Sequence, residues 1–152
     1  MLTIIAQLIT SFIAASAFGV IFGAPKKSLI QCGLVGMSGW ILYYFLTQEI
    51  MNAIPATIFA AILVSILSYF CSKVYKTPII IFNVSGIIPL VPGGMAYNAM
   101  RHFVEQDYTA AVELSAQVVL LAGSIAIGLM FSEVIKQINN KLFGRIASVF
   151  KR

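Results

Sequence analysis

The chain has 152 residues, 60% of them hydrophobic and only 10% charged, a balance that one soluble core of this size could not bury. Its formal charge of +5 would suit a nucleic-acid surface if the basic residues formed one polar face, but they sit at the ends of apolar stretches and no nucleic-acid partner is expected. No charge falls between Lys27 and Glu49 or between Lys76 and Arg101, which excludes a soluble bundle with charges interleaved at the helical period and leaves membrane spans.

Five apolar segments follow one another: Leu2 to Gly23, Ser28 to Thr47, Ala53 to Ser72, Pro78 to about Met100, and Tyr108 to Phe131. Each supplies the roughly 20 residues that about 30 Å of hydrocarbon requires. The first ends in small residues as a signal peptide does. It has no Lys or Arg before its apolar run, and the run is too long, so it reads as a retained span whose N-terminus is free to start outside. Gly19 and Gly23 in the first segment, Gly33, Gly36 and Gly39 in the second, and Ser124 and Gly128 in the fifth offer small-residue surfaces for close helix packing. Cys32 and Cys71 lie in apolar runs without metal-ligand spacing, so they read as small buried hydrophobes, and no metal or other cofactor is expected.

The fourth segment carries Pro89, Pro92, Gly93 and Gly94. Its first part, Pro78 to Val91, makes only about 21 Å of helix and cannot span alone. Charge parity says that it nevertheless crosses. With five crossings and the N-terminus outside, nine of the ten Lys and Arg residues are cytoplasmic and only Arg101 is outside; a re-entrant fourth segment would divide them nearly evenly. The expected architecture is therefore an all-α membrane protein of about five transmembrane helices, the fourth broken at Pro89 to Gly94, with the C-terminus cytoplasmic. Residues 1–135 form the transmembrane domain, and residues 136–152 form a basic amphipathic tail, either lying on an anionic leaflet or continuing the fifth helix.

Prolines remove N–H donors and clash with the preceding turn, while glycines tolerate left-handed or extended backbone. In lipid the freed backbone groups must face protein, water or a ligand, so the break is either a kink buried against a neighbour or a binding site. A half-helix starting near Gly94 would direct N–H groups and a positive dipole end at a carboxylate. Tyr97, Asn98 and Arg101 follow on its first turns; Arg101 either binds substrate or anchors at the interface with Glu105. Asn83 and Ser85 are polar groups inside an apolar run and each needs a partner. In the fifth segment Glu113 and Gln117 share a face with Leu121 and Ser124. Glu113 is either an intramembrane carboxylate for a substrate ammonium or a coupling proton, or a solvated acid at the helix start. An enzyme reading would gather His102, Glu105 and Asp107, but one His without further ligand-grade residues makes a poor catalytic or metal cluster, and no enzymatic activity is expected.

The run Ile87-Ile88-Pro89-Leu90-Val91-Pro92-Gly93, followed by Ala96-Tyr97-Asn98-Ala99-Met100, resembles the Pro-rich signature of the small, YjjB-like subunit of bacterial threonine/serine exporter proteins. The resemblance covers essentially the whole chain. It implies a multi-pass protein of the bacterial cell inner membrane that acts with a larger YjjP-like subunit, fused to it in some members, in exporting threonine and serine or the dicarboxylate succinate. Pro89, Pro92, Gly93, Ala96 and Tyr97 match the signature. The expected substrate-binding set is Asn83, Ser85, Pro89, Pro92, Gly93, Gly94, Tyr97, Asn98, Arg101, Glu113 and Gln117, on the physical argument alone.

Overall fold

The computed structural model describes the backbone of residues 2–149 and, apart from residues 2, 3, 49 and 132, the side chains up to residue 134. Among the described residues every regular element is helical: α1 (Leu2–Ile21), α2 (Leu29–Glu49), α3 (Ala53–Tyr75), α4 (Ile79–Ile87), α5 (Gly93–Val104) and α6 (Tyr108–Val149), with single 3-10 turns at Lys26–Ser28 and Ile88–Leu90. Four of these helices, α1, α2, α3 and α6, are long and apolar enough to cross a membrane, and the α4 segment with α5 forms a fifth, bent pair. The sequence expectation of about five membrane helices with the fourth broken is met. The expected tail, residues 136–152, lies outside the described side chains, and residues 150–152 lie outside the described residues altogether.

The turns are set by local chemistry. Gly23, at a φ of 69°, ends α1 in a Schellman arrangement, its N–H donating to Val20 O at 3.0 Å and that of Ala24 to Gly19 O at 2.9 Å. Gln106 ends α5 the same way at a φ of 63°, the Asp107 N–H reaching His102 O at 2.9 Å. Asp107 then starts α6, its Oδ1 accepting the Ala110 N–H at 3.3 Å. Lys76 adopts a left-handed φ of 51° after α3, and the Ser72 hydroxyl closes that corner on Thr77 O at 2.7 Å.

Short connections make α1, α2, α3 and α4 sequential antiparallel neighbours, with the α4 half-helix wedged between α2 and α3 and touching α1. The core of this bundle gathers Val35, Ala60, Ala61, Val64, Leu90 and Ile125. Glycine allows the close approaches: a Cβ at Gly86 would lie 2.7 Å from Val35 Cγ1 and 2.8 Å from Val64 Cγ1, and one at Gly36 would lie 2.5 Å from Ala15 Cβ. Farther out, α6 packs on α3, where a Cβ at Gly128 would meet the Ile58 carbonyl at 2.7 Å. The small-residue surfaces read from the sequence are therefore helix contacts at Gly33, Gly36, Gly39 and Gly128, whereas Gly23 serves only the turn.

α6 has two halves. Its lower half buries Leu121, Ser124, Ile125 and Gly128 in the region that packs on α3, and its upper half packs against α5. The α5–α6 hairpin thus leans away from the four-element bundle, because α5 departs from the α4 axis by 54°.

Candidate functional site

The break is a sequence of small, satisfied turns. Pro89 sits inside the 3-10 turn, Val91 is extended and donates its N–H to Ile88 O at 3.2 Å, and Gly93 donates to Val91 O at 2.8 Å across Pro92, an inverse γ-turn geometry. Ala96 then donates to Pro92 O at 3.0 Å and α5 begins. Pro89 has no N–H to offer the Ser85 carbonyl, so that carbonyl loses the donor a continuous helix would supply. Gly93 and Gly94 do not use left-handed backbone, since Gly23 is the described glycine with positive φ. They form the first turn of α5, and a Cβ at either would meet nothing within 4 Å.

The expected binding residues fall into three groups. Asn83 and Ser85 lie within α4; Asn83 Oδ1 is buried and lacks a hydrogen-bond partner, and Ser85 is 0% exposed. They are two residues apart on a helix, so they point to opposite sides, and the side of Ser85 meets Cys32 of α2. Pro89 lies on that same side, one turn further on. The second group is on α5: Ala96, Ala99, Met100 and Phe103 line its contact with α6, so the helical period turns Tyr97, Asn98 and Arg101 outward. Tyr97 is 70% exposed, and the exposed Arg101 donates from Nε to Glu105 Oε1 at 2.8 Å, the interfacial pairing that the sequence allowed as one of two readings. The third group, Glu113 and Gln117, is exposed on upper α6, two turns and one turn above the buried Leu121 respectively. Pro92, Gly93 and Gly94 connect the first group to the second without drawing their side chains together. His102 Nδ1 and Asp107 Oδ2 approach to 3.5 Å, and no group of three metal-ligating side chains occurs among the described residues.

Two hollows flank the break. One, of about 840 Å³, runs along the α5–α6 hairpin and is almost wholly apolar, lined by residues such as Ala96, Met100, Phe103, Val112 and Val119. The other, of about 230 Å³, lies where α1, α2 and the Pro89 turn meet, and is lined by Gln7, Thr10, Ser11, Ala14, Trp40 and Pro89. Trp40 is half-buried and its indole Nε1 is a buried donor with no acceptor. Of the expected set, only Pro89 borders this hollow. The sequence did carry a signal for the others: Gln7, Thr10 and Ser11 are polar at helical spacing inside an apolar span, and Trp40 sits mid-span in place of the interfacial position common for Trp.

A stretch of 105 residues, 69% of this chain, is 30% identical to an uncharacterized protein of Haemophilus influenzae, and that stretch is 35% of the relative's length. The chain therefore spans about a third of the curated relative that it matches. No solved structure matches. The family described as "Threonine/Serine exporter, ThrE" matches residues 7–135, from the first turns of α1 into α6. This multi-pass membrane chain belongs to the threonine/serine exporter family.

Proposed function

We propose that the chain is one part of a two-component secondary exporter of small carboxylate-bearing metabolites, threonine and serine or a succinate-like dicarboxylate, completed by a larger YjjP-like membrane chain. The observation that carries this reading is the broken fourth span. Close to the break the chain holds buried polar atoms without partners, the Trp40 N–H and the Asn83 carbonyl oxygen, at a level of the bundle where lipid could satisfy neither. A family of exporters gives such groups a reason to be there, because a passing polar solute supplies the missing hydrogen bonds.

Two facts support a partner. The relative devotes 35% of its length to the matched region, so the same unit occurs there inside a longer polypeptide. The break also lies beside a few helices only, too thin a wall to seal a solute from both sides in turn. The basic residues support an inner-membrane orientation with the α1–α2 and α3–α4 turns cytoplasmic, since Lys26, Lys27, Lys73 and Lys76 gather at that end and Arg101 at the other.

Efflux from cells or loaded vesicles carrying this chain, the larger chain, or both is the deciding measurement. Saturable efflux of threonine, serine or succinate is expected with both chains together; full activity from this chain alone would end the two-component reading. A second reading, a subunit that assembles or regulates the transporter without contacting solute, is favoured by the broad apolar surface on α5 and upper α6, where Met100, Phe103, Val112 and Val119 are exposed. It requires that Gly93→Ala/Gly94→Ala leave both assembly and efflux unchanged.

A further inference from the structure

We propose that two copies of this chain pair through α6, each α6 lying in the hollow that the α5–α6 hairpin of the other leaves open. The pairing goes beyond the export reading and depends on neither the solute nor the larger chain.

Along α6 the residues Val112, Ala116, Val119, Gly123, Ala126 and Met130 follow one another at alternating steps of four and three, the heptad spacing of a helix–helix seam. All six are exposed, Val112 and Val119 by 69% each and Met130 by 68%. At 1.5 Å per residue the row is about 27 Å long, and it stays inside the apolar span Tyr108–Phe131. On the opposite side of the same helix Leu121 and Gly128 are buried, Gly128 against α3. α6 therefore has two packing sides, one used within the chain and one open to another helix.

Lipid does not account for the open side. Gly36, Gly86 and Gly128 each face a neighbour that a Cβ would strike, whereas a Cβ at Gly123 would meet nothing within 4 Å. Glycine disfavours a helix interior, and acyl chains gain nothing from its absent side chain; a second helix gains close approach. Ala116 lies one heptad before Gly123, so small residues recur along the row between Val112 and Val119. The hollow of about 840 Å³ opens over the outer part of this row, with Ala96, Met100 and Phe103 of α5 as its side wall, and an incoming helix is held from two sides.

Complementarity at the edge of the seam selects a second copy. Two copies inserted the same way round a two-fold axis have parallel α6 helices, and each seam residue meets its own equivalent. Tyr108 then flanks the seam opposite Glu113 of the second copy, five positions further on, the relation in which flanking residues of parallel pairs meet. The phenol donates and the carboxylate accepts, both are exposed in the single chain, and the symmetry forms the pair twice. No like charges meet along the seam inside the span. The next seam position is Glu133, beyond the span, where repulsion between the copies ends the contact.

Val112→Cys, Val119→Cys and Gln117→Cys, each in a background with Cys32→Ala and Cys71→Ala, are oxidised in native membranes. Association of the full chain is measured in parallel by energy transfer between labelled copies in liposomes at rising lipid-to-protein ratio. Disulfide-linked dimers are expected at positions 112 and 119 but not at 117, which is exposed off the seam. Gly123→Leu enters open space in the single chain and is expected to leave thermal unfolding unchanged while weakening association at least tenfold. Glu113→Ala and Tyr108→Phe are each expected to weaken it about threefold, and the double variant no further than either alone. A chain monomeric at every ratio, crosslinking at 117 as strong as at 119, or unaltered association of Gly123→Leu overturns the pairing. Seam crosslinks formed only to the larger chain, when both are present, assign the row to a foreign helix and overturn it as well.

Discussion

Glycine positions separate packing from function at the residue scale. A Cβ at Gly86 would press on Val35 and Val64 at 2.7 and 2.8 Å, and one at Gly128 on the Ile58 carbonyl at 2.7 Å. Valine is stiff at χ1 and a carbonyl belongs to the backbone, so neither neighbour yields easily. Gly86→Ala and Gly128→Ala are each expected to lose about 1–3 kcal/mol of stability through overpacking, visible as a lower midpoint of thermal unfolding in detergent. Gly93→Ala and Gly94→Ala enter open space and favour helix over glycine at the start of α5, so they are expected to leave unfolding unchanged or slightly raised. Their effect on efflux then reports the break itself. The Arg101–Glu105 pair is exposed at both ends, and Arg101→Gln is expected to cost under about 1 kcal/mol; a large loss of efflux with no loss of stability would return Arg101 to the substrate path.

At the scale of elements, the fourth span is bent by what two prolines cannot donate and by how the chain closes the resulting gap. The 3-10 turn at Ile88–Leu90 and the contact of Gly93 N–H with Val91 O satisfy most of the groups that the sequence led one to expect as open. Replacing Pro89 and Pro92 together by Ala restores the donors. The span is expected to straighten, moving spin labels at Ile80 and Val104 apart by about 4 Å, the difference between straight and 54° arms at 1.5 Å rise per residue. An unchanged distance would mean that the α5–α6 packing, and not the prolines, holds the bend. The same packing explains the stripe on α6: Leu121 and Ser124 are buried where α6 meets α3, while Gln117 and Glu113, continuing upward, are exposed.

For the whole molecule, the question is whether the bent pair takes the chain across. Single cysteines introduced at Lys26, Lys76, Asn52 and Gln106, in a background with Cys32→Ala and Cys71→Ala, can be labelled with an impermeant maleimide from one side of the membrane. Labelling of Lys26 and Lys76 from one side, and of Asn52 and Gln106 from the other, is expected for five crossings. Reaction of Gln106 together with Lys76 would make the fourth segment re-entrant.

The sequence by itself determined the membrane class, the segment count and the location of the break, because these depend on length, hydropathy and the missing donors of proline, all properties of contiguous residues. It also marked Asn83 and Ser85 as polar groups in need of partners; Asn83 Oδ1 is buried without one, while Ser85 meets the Cys32 thiol. Only the tertiary structure decided which side chains meet. Tyr97, Asn98, Glu113 and Gln117 have sensible spacing along their helices, but the 54° departure of α5 carries Tyr97 and Asn98 away from the bundle, Glu113 and Gln117 are exposed on α6, and no periodicity encodes the angle between two helices. The same departure leaves the turn at Pro89 facing α1 and α2, where Gln7, Thr10, Ser11 and Trp40 line the small hollow. Those residues lie about 50 to 80 positions from Pro89 in the chain, and only packing brings such distances to contact.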